Sequence, residues 1–257
     1  MNRTALFFIY KKLLPENYFF IRNNNYTKMK KTLVPVLVFT VLTFAVACTQ
    51  APDAPKATTA EPQQTPANAG ATGQGNLKVD AQQSMVTWIG TKPTGRHNGS
   101  IKLTEGAVNV ANGQLAGGSF VMNMNTVAVL DENMDESDRS DLTNHLKSED
   151  FFDAAKFPDA RFEITAVQPA TPDTAAKTES NAPAATHNIT GNLTLKGVTK
   201  SVTFPATIAL TDAGLNAKAN FNIDRTNWGI TYKSDKSLGN KIIYPEVNIG
   251  INLVAKP

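Results

Sequence analysis

Cysteine and histidine are scarce in this 257-residue sequence, which contains one cysteine, Cys48, and three histidines. A chain with one cysteine forms no intramolecular disulfide, so its stability must come from its core. His97, His145 and His187 are never four residues apart, and no CxxC, HExxH or Gly-x-Ser-x-Gly motif occurs. The sequence therefore indicates neither an enzyme nor a protein that needs a metal or another cofactor.

One acidic segment has part of the spacing of a calcium-binding loop. Asp131, Asn133 and Asp135 stand at positions 1, 3 and 5 of such a loop. Position 6 requires glycine and is Glu136, and position 12 requires glutamate and is Leu142. The segment is better interpreted as a solvated acidic loop at the start of a helix.

The sequence also lacks a basic domain, although its formal net charge is +3. Residues 1–47 hold seven of the 25 Lys/Arg and one of the 22 Asp/Glu residues, which leaves 18 basic and 21 acidic groups in residues 48–257. Nucleic-acid binding usually requires a basic stripe, so we expect no nucleic-acid partner.

Only one apolar run is long, and it lies near the N-terminus. Met29 and two lysines precede residues 32–47, which are apolar but are interrupted by Pro35. This run is short for a membrane-spanning helix, and its charged start is typical of a secretory signal peptide. We therefore predict a signal peptide at 29–47 and an upstream extension at 1–28, with either Met1 or Met29 as the start.

The end of this apolar run fits two processing routes. Ala45, Ala47 and Cys48 resemble a bacterial lipobox, in which Cys48 becomes the lipidated first residue. Ala45 and Ala47 also fit an ordinary signal-peptidase site. The first route predicts a lipoprotein of the cell envelope, attached to a membrane by two acyl chains. The second predicts a soluble periplasmic or secreted protein.

Two segments are poor in large apolar side chains. Residues 48–75 are rich in Ala, Pro, Thr, Gln and Gly, and residues 169–186 are rich in Ala, Thr and Pro. Neither segment offers enough apolar surface to offset the entropy of ordering. We predict a disordered linker at 48–75, a folded domain at 76–257, and a surface loop at 169–186 within it.

The domain is dominated by alternation of apolar and polar residues, which is typical of strands with one buried face. It recurs in about eight segments joined by short turns. Representative apolar faces are Val86-Trp88-Gly90, Phe120-Met122-Met124, Ile189-Gly191-Leu193-Leu195, Val202-Phe204-Ala206-Ile208, Ala217-Ala219-Phe221-Ile223 and Val247-Ile249-Ile251-Leu253. Residues 99–111 fit either a strand pair or one bent strand.

One helix interrupts the strands. A polar segment from Ser137 to Lys147 carries Leu142 and Leu146 four residues apart, which gives it one apolar stripe. Ser137 or Asp138 is a candidate N-cap.

Antiparallel strands of this kind form either a sandwich or a closed barrel, and the pattern alone leaves both open. Small residues on the apolar faces, such as Gly191, Ala206, Ala217 and Ala219, relieve crowding where a sheet curls. Eight strands also enclose room for side chains or for one slender ligand. Both observations favour the barrel.

Four separated motifs resemble the YceI-like family, the lipocalin-like polyisoprenoid-binding proteins of bacterial envelopes. The strongest is HLKSEDFFDAAKFPDARFEIT, which runs from His145 to Thr165. The other three follow family order and spacing at 79–90, 190–205 and 223–230. The resemblance covers about residues 76–257. It implies a mainly β domain, a lipocalin-like antiparallel β-barrel of about eight strands with a short helix in the crossover.

Two positions depart from the family pattern. Leu142 and Thr143 stand where the family often has Arg-Asp, so no charged ligand contact is carried over from that pair. Trp228 stands where Phe or Tyr is usual.

The resemblance implies a ligand class, polyisoprenoids or isoprenoid quinones, whereas the residue pattern indicates only a long apolar molecule. We expect Phe151 and Phe152 to plug one end of the lumen, and Arg225 either to hold a turn or to face a head group. The candidate ligand-contacting residues are Trp88, Phe120, Met122, Met124, His145, Phe151, Phe152, Phe162, Ile164, Leu193, Leu195, Phe204, Phe221, Arg225 and Trp228.

These observations predict a carrier of a long isoprenoid lipid in the bacterial cell envelope. The alternative is a structural or stress-response envelope protein whose barrel is filled by its own side chains. The expected partners are the lipid and, through Cys48, a membrane. The oligomeric state is left open.

Overall fold

The computed structural model describes residues 51–64, 76–171 and 184–257, all within one compact unit. The predicted signal peptide 29–47, the candidate lipidation site Cys48 and the middle of the predicted loop 169–186 lie outside the described residues.

Strands dominate the described residues. They are β1 (Thr58–Ala60), β2 (Asn76–Val79), β3 (Met85–Lys92), β4 (Gly95–Ala111), β5 (Gln114–Val129), β6 (Asp159–Pro169), β7 (His187–Leu195), β8 (Val198–Thr211), β9 (Gly214–Asp224) and β10 (Glu246–Lys256). The helix α1 spans Glu136–Lys147, and short 3₁₀ helices span Arg225–Trp228 and Lys236–Lys241. Residues 99–111 belong to one strand, which selects the bent single strand of the two alternatives.

Eight strands close into a barrel. From β3 to β10, each strand pairs antiparallel with the next in chain order, and β10 pairs back onto β3, with Ile249 opposite Trp88. The short strand β2 lies beyond β3 and pairs with the ends of β4 and β10. The predicted fold is confirmed, and closure of the ring decides for the barrel over the sandwich.

Irregular pairing curves the wall. The β4–β5 ladder shifts register at three places, and the β6–β7 ladder shifts once, between Ile164 and Ala166. Such bulges bend a strand and increase its twist. Gly99 and Gly191 lie where a Cβ atom would overlap the rings of Trp88 and Phe162, so each ring packs directly against a glycine of the wall. These two glycines therefore make room for aromatic rings.

The alternating apolar residues face the barrel interior as predicted. Val86, Val202, Phe204, Phe221 and Leu253 are all at least nine-tenths buried and belong to one hydrophobic cluster. Outward residues of the same strands, such as Asn216 on β9, are exposed. The period-two pattern thus locates both the core and the lumen.

The helix begins one residue before the predicted start, and the predicted caps are wrong. The N-cap position belongs to Asp135, whose side chain makes no capping hydrogen bond. Ser137 and Asp138 lie inside the first turn, where Asp138 and Glu136 place negative charge beside the positive end of the helix dipole. Leu146 is buried, and Leu142 packs against the core.

The predicted disordered linker is wrong for part of its length. Residues 58–60 form β1 and pair antiparallel with Ser201–Thr203 of β8. Main-chain pairing needs no apolar side chain, so low hydrophobicity did not reveal this strand. We call residues 52–63 the N-terminal arm.

None of the helices within the described residues is both long and apolar enough to cross a membrane.

Candidate functional site

The barrel encloses an apolar cavity of about 270 Å³. Each of the eight barrel strands contributes inward residues to its wall, and α1 covers one end with Leu142 and Leu146. Alternation places these side chains inward because successive strand residues point to opposite faces. The cavity therefore occupies the position of a lumen.

A row of phenylalanines divides the lumen. Phe204 stacks on Phe221 with ring centroids 4.1 Å apart, and Phe162 lies 5.6 Å from Phe204 and 6.3 Å from Phe120. A second apolar cavity of about 80 Å³ lies alongside and shares Phe162 and Phe204 with the larger one. The two cavities are thus neighbours that share part of their aromatic lining.

An aromatic cluster closes the end of the lumen beneath α1. His145 contacts Phe151 edge-on at 5.1 Å and Tyr232 at 4.9 Å, and Phe151 lies 5.4 Å from Tyr232. His145 Nε2 pairs with Asp150 Oδ2 at 2.8 Å. Phe151 is buried and lines the cavity together with Phe152. Phe151 and Phe152 thus lie at the end of the cavity that α1 covers.

Arg225 is a buried cation that holds the loops at the same end. Its guanidinium donates to the carbonyls of Ile230, Tyr232 and Ile243 at 2.6 to 2.9 Å, and more weakly to that of Tyr244. Burial lowers the pKa of Arg225 from its usual value, and the charge of Asp224 opposes this shift. Of the two predicted roles, these contacts favour holding a turn.

Polar groups lie together on another part of the lumen wall. Trp88 Nε1 and Thr91 Oγ1 are buried without a hydrogen-bond partner in the described residues, and both residues line the cavity. Lys92 and His97 line it nearby. His97 Nδ1 lies 3.1 Å from Asp131 Oδ2. A hydrogen bond from the Asn133 N–H and the contact with His97 hold the pKa of Asp131 below its usual value.

Thr143, which departs from the family pattern, has a structural role. Thr143 Oγ1 accepts a hydrogen bond from the backbone N–H of Val129 at 3.1 Å, which ties α1 to the end of β5. Trp228 is fully buried and donates from Nε1 to the Leu193 carbonyl at 3.0 Å.

The structure brings most of the fifteen candidate ligand-contacting residues to the larger cavity. Those that line it are Trp88, Met122, Met124, Phe151, Phe152, Phe162, Leu193, Leu195, Phe204, Phe221 and Arg225. Phe120 and Ile164 line the smaller cavity, whereas His145 and Trp228 line neither and pack behind the wall.

Several lining residues were missed by sequence reasoning. Alternation on the first and last barrel strands could have found Val86, Val247, Ile249 and Ile251, which share faces with other inward residues. Lys92 and His97 continue the inward alternation of β3 and β4, but they are polar, so an apolar pattern did not mark them. Thr91 lies out of phase with the inward residues of β3 and carries no comparable signal.

No group of three or more His, Cys, Asp or Glu side chains suited to a metal ion occurs in the part of the chain that the structure describes. The acidic segment 131–135 instead forms turns, with Asp131 accepting from Asn133.

A family model described as the YceI-like domain matches residues 77–255 of this chain. The chain belongs to the YceI-like family. The resemblance found in the four sequence motifs is thereby confirmed.

Among curated proteins, this YceI-like chain is similar to members called UPF0312 proteins. It is 38% identical to one from Pseudomonas fluorescens strain SBW25 over 96 residues, which cover 34% of this chain and 44% of the relative. It is 42% identical to one from Pseudomonas putida strain W619 over 71 residues, 28% of this chain and 31% of the relative. In both alignments the chain spans less than half of the relative.

Among solved structures, the fold resembles Burkholderia cenocepacia BcnA, with a TM-score of 0.53 and 23% identity over 69% of this chain and 99% of that one. It also resembles a polyisoprenoid binding domain from Saccharophagus degradans, implicated in plant cell wall breakdown. That match has a TM-score of 0.50 and 13% identity over 70% of this chain and 97% of that one. At these identities the comparisons show a shared fold.

Proposed function

We propose that this protein binds and carries a long apolar isoprenoid lipid, of polyprenyl or quinone type, in the bacterial cell envelope. The observation that carries the proposal is the apolar lumen, enclosed by the barrel and covered at one end by α1 and the Phe151–Phe152 plug. The similar fold of a domain described as polyisoprenoid-binding supports the ligand class.

The size of the lumen suits a slender chain. A cavity of about 270 Å³ lies just below the roughly 300 to 1,000 Å³ of most ligand pockets. Removing each CH₂ group from water contributes about 0.8 kcal/mol, so an isoprenoid tail gains affinity without specific hydrogen bonds. A tail of many units requires the second cavity as well, which shares Phe162 and Phe204 with the first.

The polar groups on the lumen wall orient the ligand in this proposal. Trp88 Nε1 and Thr91 Oγ1 are unpaired donors in an apolar setting, and such groups are costly unless they meet an acceptor. Lys92 adds a positive charge close by. We therefore place an oxygen-bearing head group near Trp88 and Thr91, and the apolar tail along the phenylalanine row.

The role is binding rather than catalysis. The buried polar groups of the lumen are one indole, one hydroxyl and Arg225, whose guanidinium donates to four carbonyls, and these residues do not pair a nucleophile with a base. The proposed setting is a periplasm-facing or surface lipoprotein anchored at Cys48, with a soluble periplasmic form if the bond after Ala47 is cut without lipidation of Cys48.

The test compares two leucine-to-aspartate variants with wild type. Leu193 lines the lumen, whereas Leu130 is half exposed at the surface. Leu193→Asp places a carboxylate in a dry interior, which we expect to cost roughly 3 kcal/mol and to abolish lipid co-purification. Leu130→Asp should change neither the stability nor the lipid co-purification.

The measurement is extraction and mass analysis of lipids from protein purified from its own host, together with melting curves. Isoprenoid lipid in wild type and Leu130→Asp, but not in Leu193→Asp, supports the proposal. Wild-type protein without any isoprenoid lipid would contradict it and favour the structural or stress-response alternative.

A further inference from the structure

The ladder between β8 and β9 is incomplete. The two strands pair from Thr211–Gly214 to Ala206–Ala219, and their remaining residues do not pair with each other. The Ala206 carbonyl accepts from Thr186 on the β7 side, and backbone groups alternate in direction along a strand, so the nitrogen of Pro205 faces β9. Proline has no N–H to donate, so the ladder stops there and leaves a slot in the wall.

The N-terminal arm fills this slot. The Ala57 N–H donates to the Asn222 carbonyl of β9 at 2.8 Å, and the Asn222 N–H donates to the Pro55 carbonyl at 2.9 Å. On the other side, Thr58 and Ala60 lie opposite Thr203 and Ser201 of β8. The arm thus runs parallel to β9 and antiparallel to β8, as an inserted strand.

The slot borders the lumen. On its β8 side, Val202 and Phe204 line the larger cavity, and on its β9 side Phe221 and Ile223 do the same. Ala57 is 6% exposed and belongs to the same hydrophobic cluster as these four residues. The arm therefore packs against the lumen-lining residues on both sides of the slot.

The arm is held mainly by main-chain and surface polar contacts. Ala57 is its buried apolar residue, and in its ion pairs, Lys56–Glu246 and Glu61–Lys200, the side chain on the arm is exposed. Exposed ion pairs contribute little stability. The α1 end of the lumen is instead closed by several buried side chains, among them Leu146, Phe151 and Ala154. Detaching the arm would therefore expose fewer buried apolar side chains than opening the α1 end.

We propose that the N-terminal arm is a detachable strand that closes a lateral portal between β8 and β9, and that the lipid enters and leaves the lumen through this slot. The inference rests on the proposed lipid-binding function. It assigns the exchange route to the arm and not to the helix-covered end.

The arm can be locked by a disulfide. Thr58 and Thr203 are directly opposite and antiparallel, where Cα atoms are about 4.5 to 5.5 Å apart, within the range that a disulfide spans. The full chain with Cys48→Ser leaves Thr58→Cys and Thr203→Cys as the only thiols. Oxidised and reduced forms of one preparation then differ only in whether the arm can leave.

The probe is phosphatidylcholine vesicles containing ubiquinone-10 and undecaprenol, and the readout is lipid extracted from the protein after the vesicles are pelleted, followed over time. We expect uptake by the oxidised form to be at least tenfold slower than by the same protein after reduction. Equal rates with equal final occupancy would overturn the portal while leaving lipid binding intact. Failure of every form to take up either lipid at equilibrium would instead count against the proposed function.

A pair of arm variants tests whether loosening the arm makes lipid uptake faster. Ala57→Asp places a charge among buried apolar side chains and should loosen the arm, whereas Ala60→Asp introduces the same charge at an exposed position of the same strand. We expect uptake several-fold faster in Ala57→Asp and unchanged in Ala60→Asp. Uptake that is identical in the two variants, with Ala57→Asp still folded by its melting curve, would overturn the portal.

Discussion

Gly191 makes room for an aromatic ring of the lumen by having no side chain. A Cβ atom at this position would overlap Phe162 Cζ and lie 2.7 Å from the Glu163 carbonyl oxygen. Neither neighbour can move freely, because Phe162 packs between Phe120 and Phe204, and Glu163 belongs to a barrel strand. The same need for room explains Gly99 beneath Trp88.

We predict that Gly191→Ala lowers the free energy of unfolding by about 1 to 3 kcal/mol, the usual cost of overpacking a core. Gly90→Ala is the matched control, because Gly90 also lies on a barrel strand and lines the cavity, yet a Cβ there meets nothing within 4 Å. Gly90→Ala should be neutral or slightly stabilising, since it reduces the freedom of the unfolded chain. Urea unfolding of both variants measures the difference; equal stabilities would contradict the argument.

At the scale of elements, α1 and the segment after it act as the lid of one barrel end. Thr143 fastens the helix to β5, Leu142 and Leu146 point towards the cavity, and Phe151 is held between His145 and Tyr232. Arg225 lies over the ring of Phe151 with Cζ 5.8 Å from its centroid, and its four carbonyl contacts hold the adjoining loops. This end is therefore well packed in the closed protein.

We predict that Phe152→Ala leaves the barrel folded and speeds release of bound lipid, because truncation opens a second route beside Phe151. Phe152 is half-buried and lines the cavity, whereas Phe157 is similarly half-buried and does not line it. Phe157→Ala is therefore the matched control, and its release rate should equal that of wild type. Release is measured by transfer of extracted isoprenoid to acceptor vesicles. If Phe152→Ala releases lipid no faster than Phe157→Ala, the plug is not part of the lumen cover.

At the scale of the whole molecule, docking of the arm changes how the domain would sit on a membrane. A fully flexible linker at 48–75, as predicted from the sequence, would let the domain stand away from the surface. The arm is already bound to the barrel from Pro52, through the hydrogen bond from Asn222 Nδ2 to the Pro52 carbonyl. Four residue steps from Cys48 span at most about 14 Å. A lipid at Cys48 would thus hold the β8–β9 slot close to the bilayer.

We predict that Cys48→Ala moves the protein from the membrane fraction to the soluble fraction of its host, because the two acyl chains that anchor it would be lost. Fractionation followed by N-terminal sequencing measures this, with wild type beside it. The expected mature N-terminus of wild type is a blocked Cys48. A wild-type N-terminus at any other residue, or unchanged fractionation of the variant, would contradict lipidation.

The family, the barrel strands and most of their inward residues could be predicted from the residues alone. Alternation with period two is a local property of a half-buried strand, so Phe204 and Phe221 could be assigned to the lumen without a structure. The aromatic plug was equally visible, because its residues are contiguous in a family motif.

Tertiary structure decided the rest. Closure of the ring depends on β10 reaching β3, two strands that are more than 150 residues apart, and no local pattern specifies it. The sequence left Arg225 with two roles, holding a turn or facing a head group, and its bonds to four carbonyls of the surrounding loops favour the first. The arm shows the same limit most clearly. Its polar, proline-rich sequence has no strand pattern, and it is ordered by backbone groups of β8 and β9 that do not pair with each other. Contacts between distant segments depend on the complete fold, so local sequence patterns do not predict them.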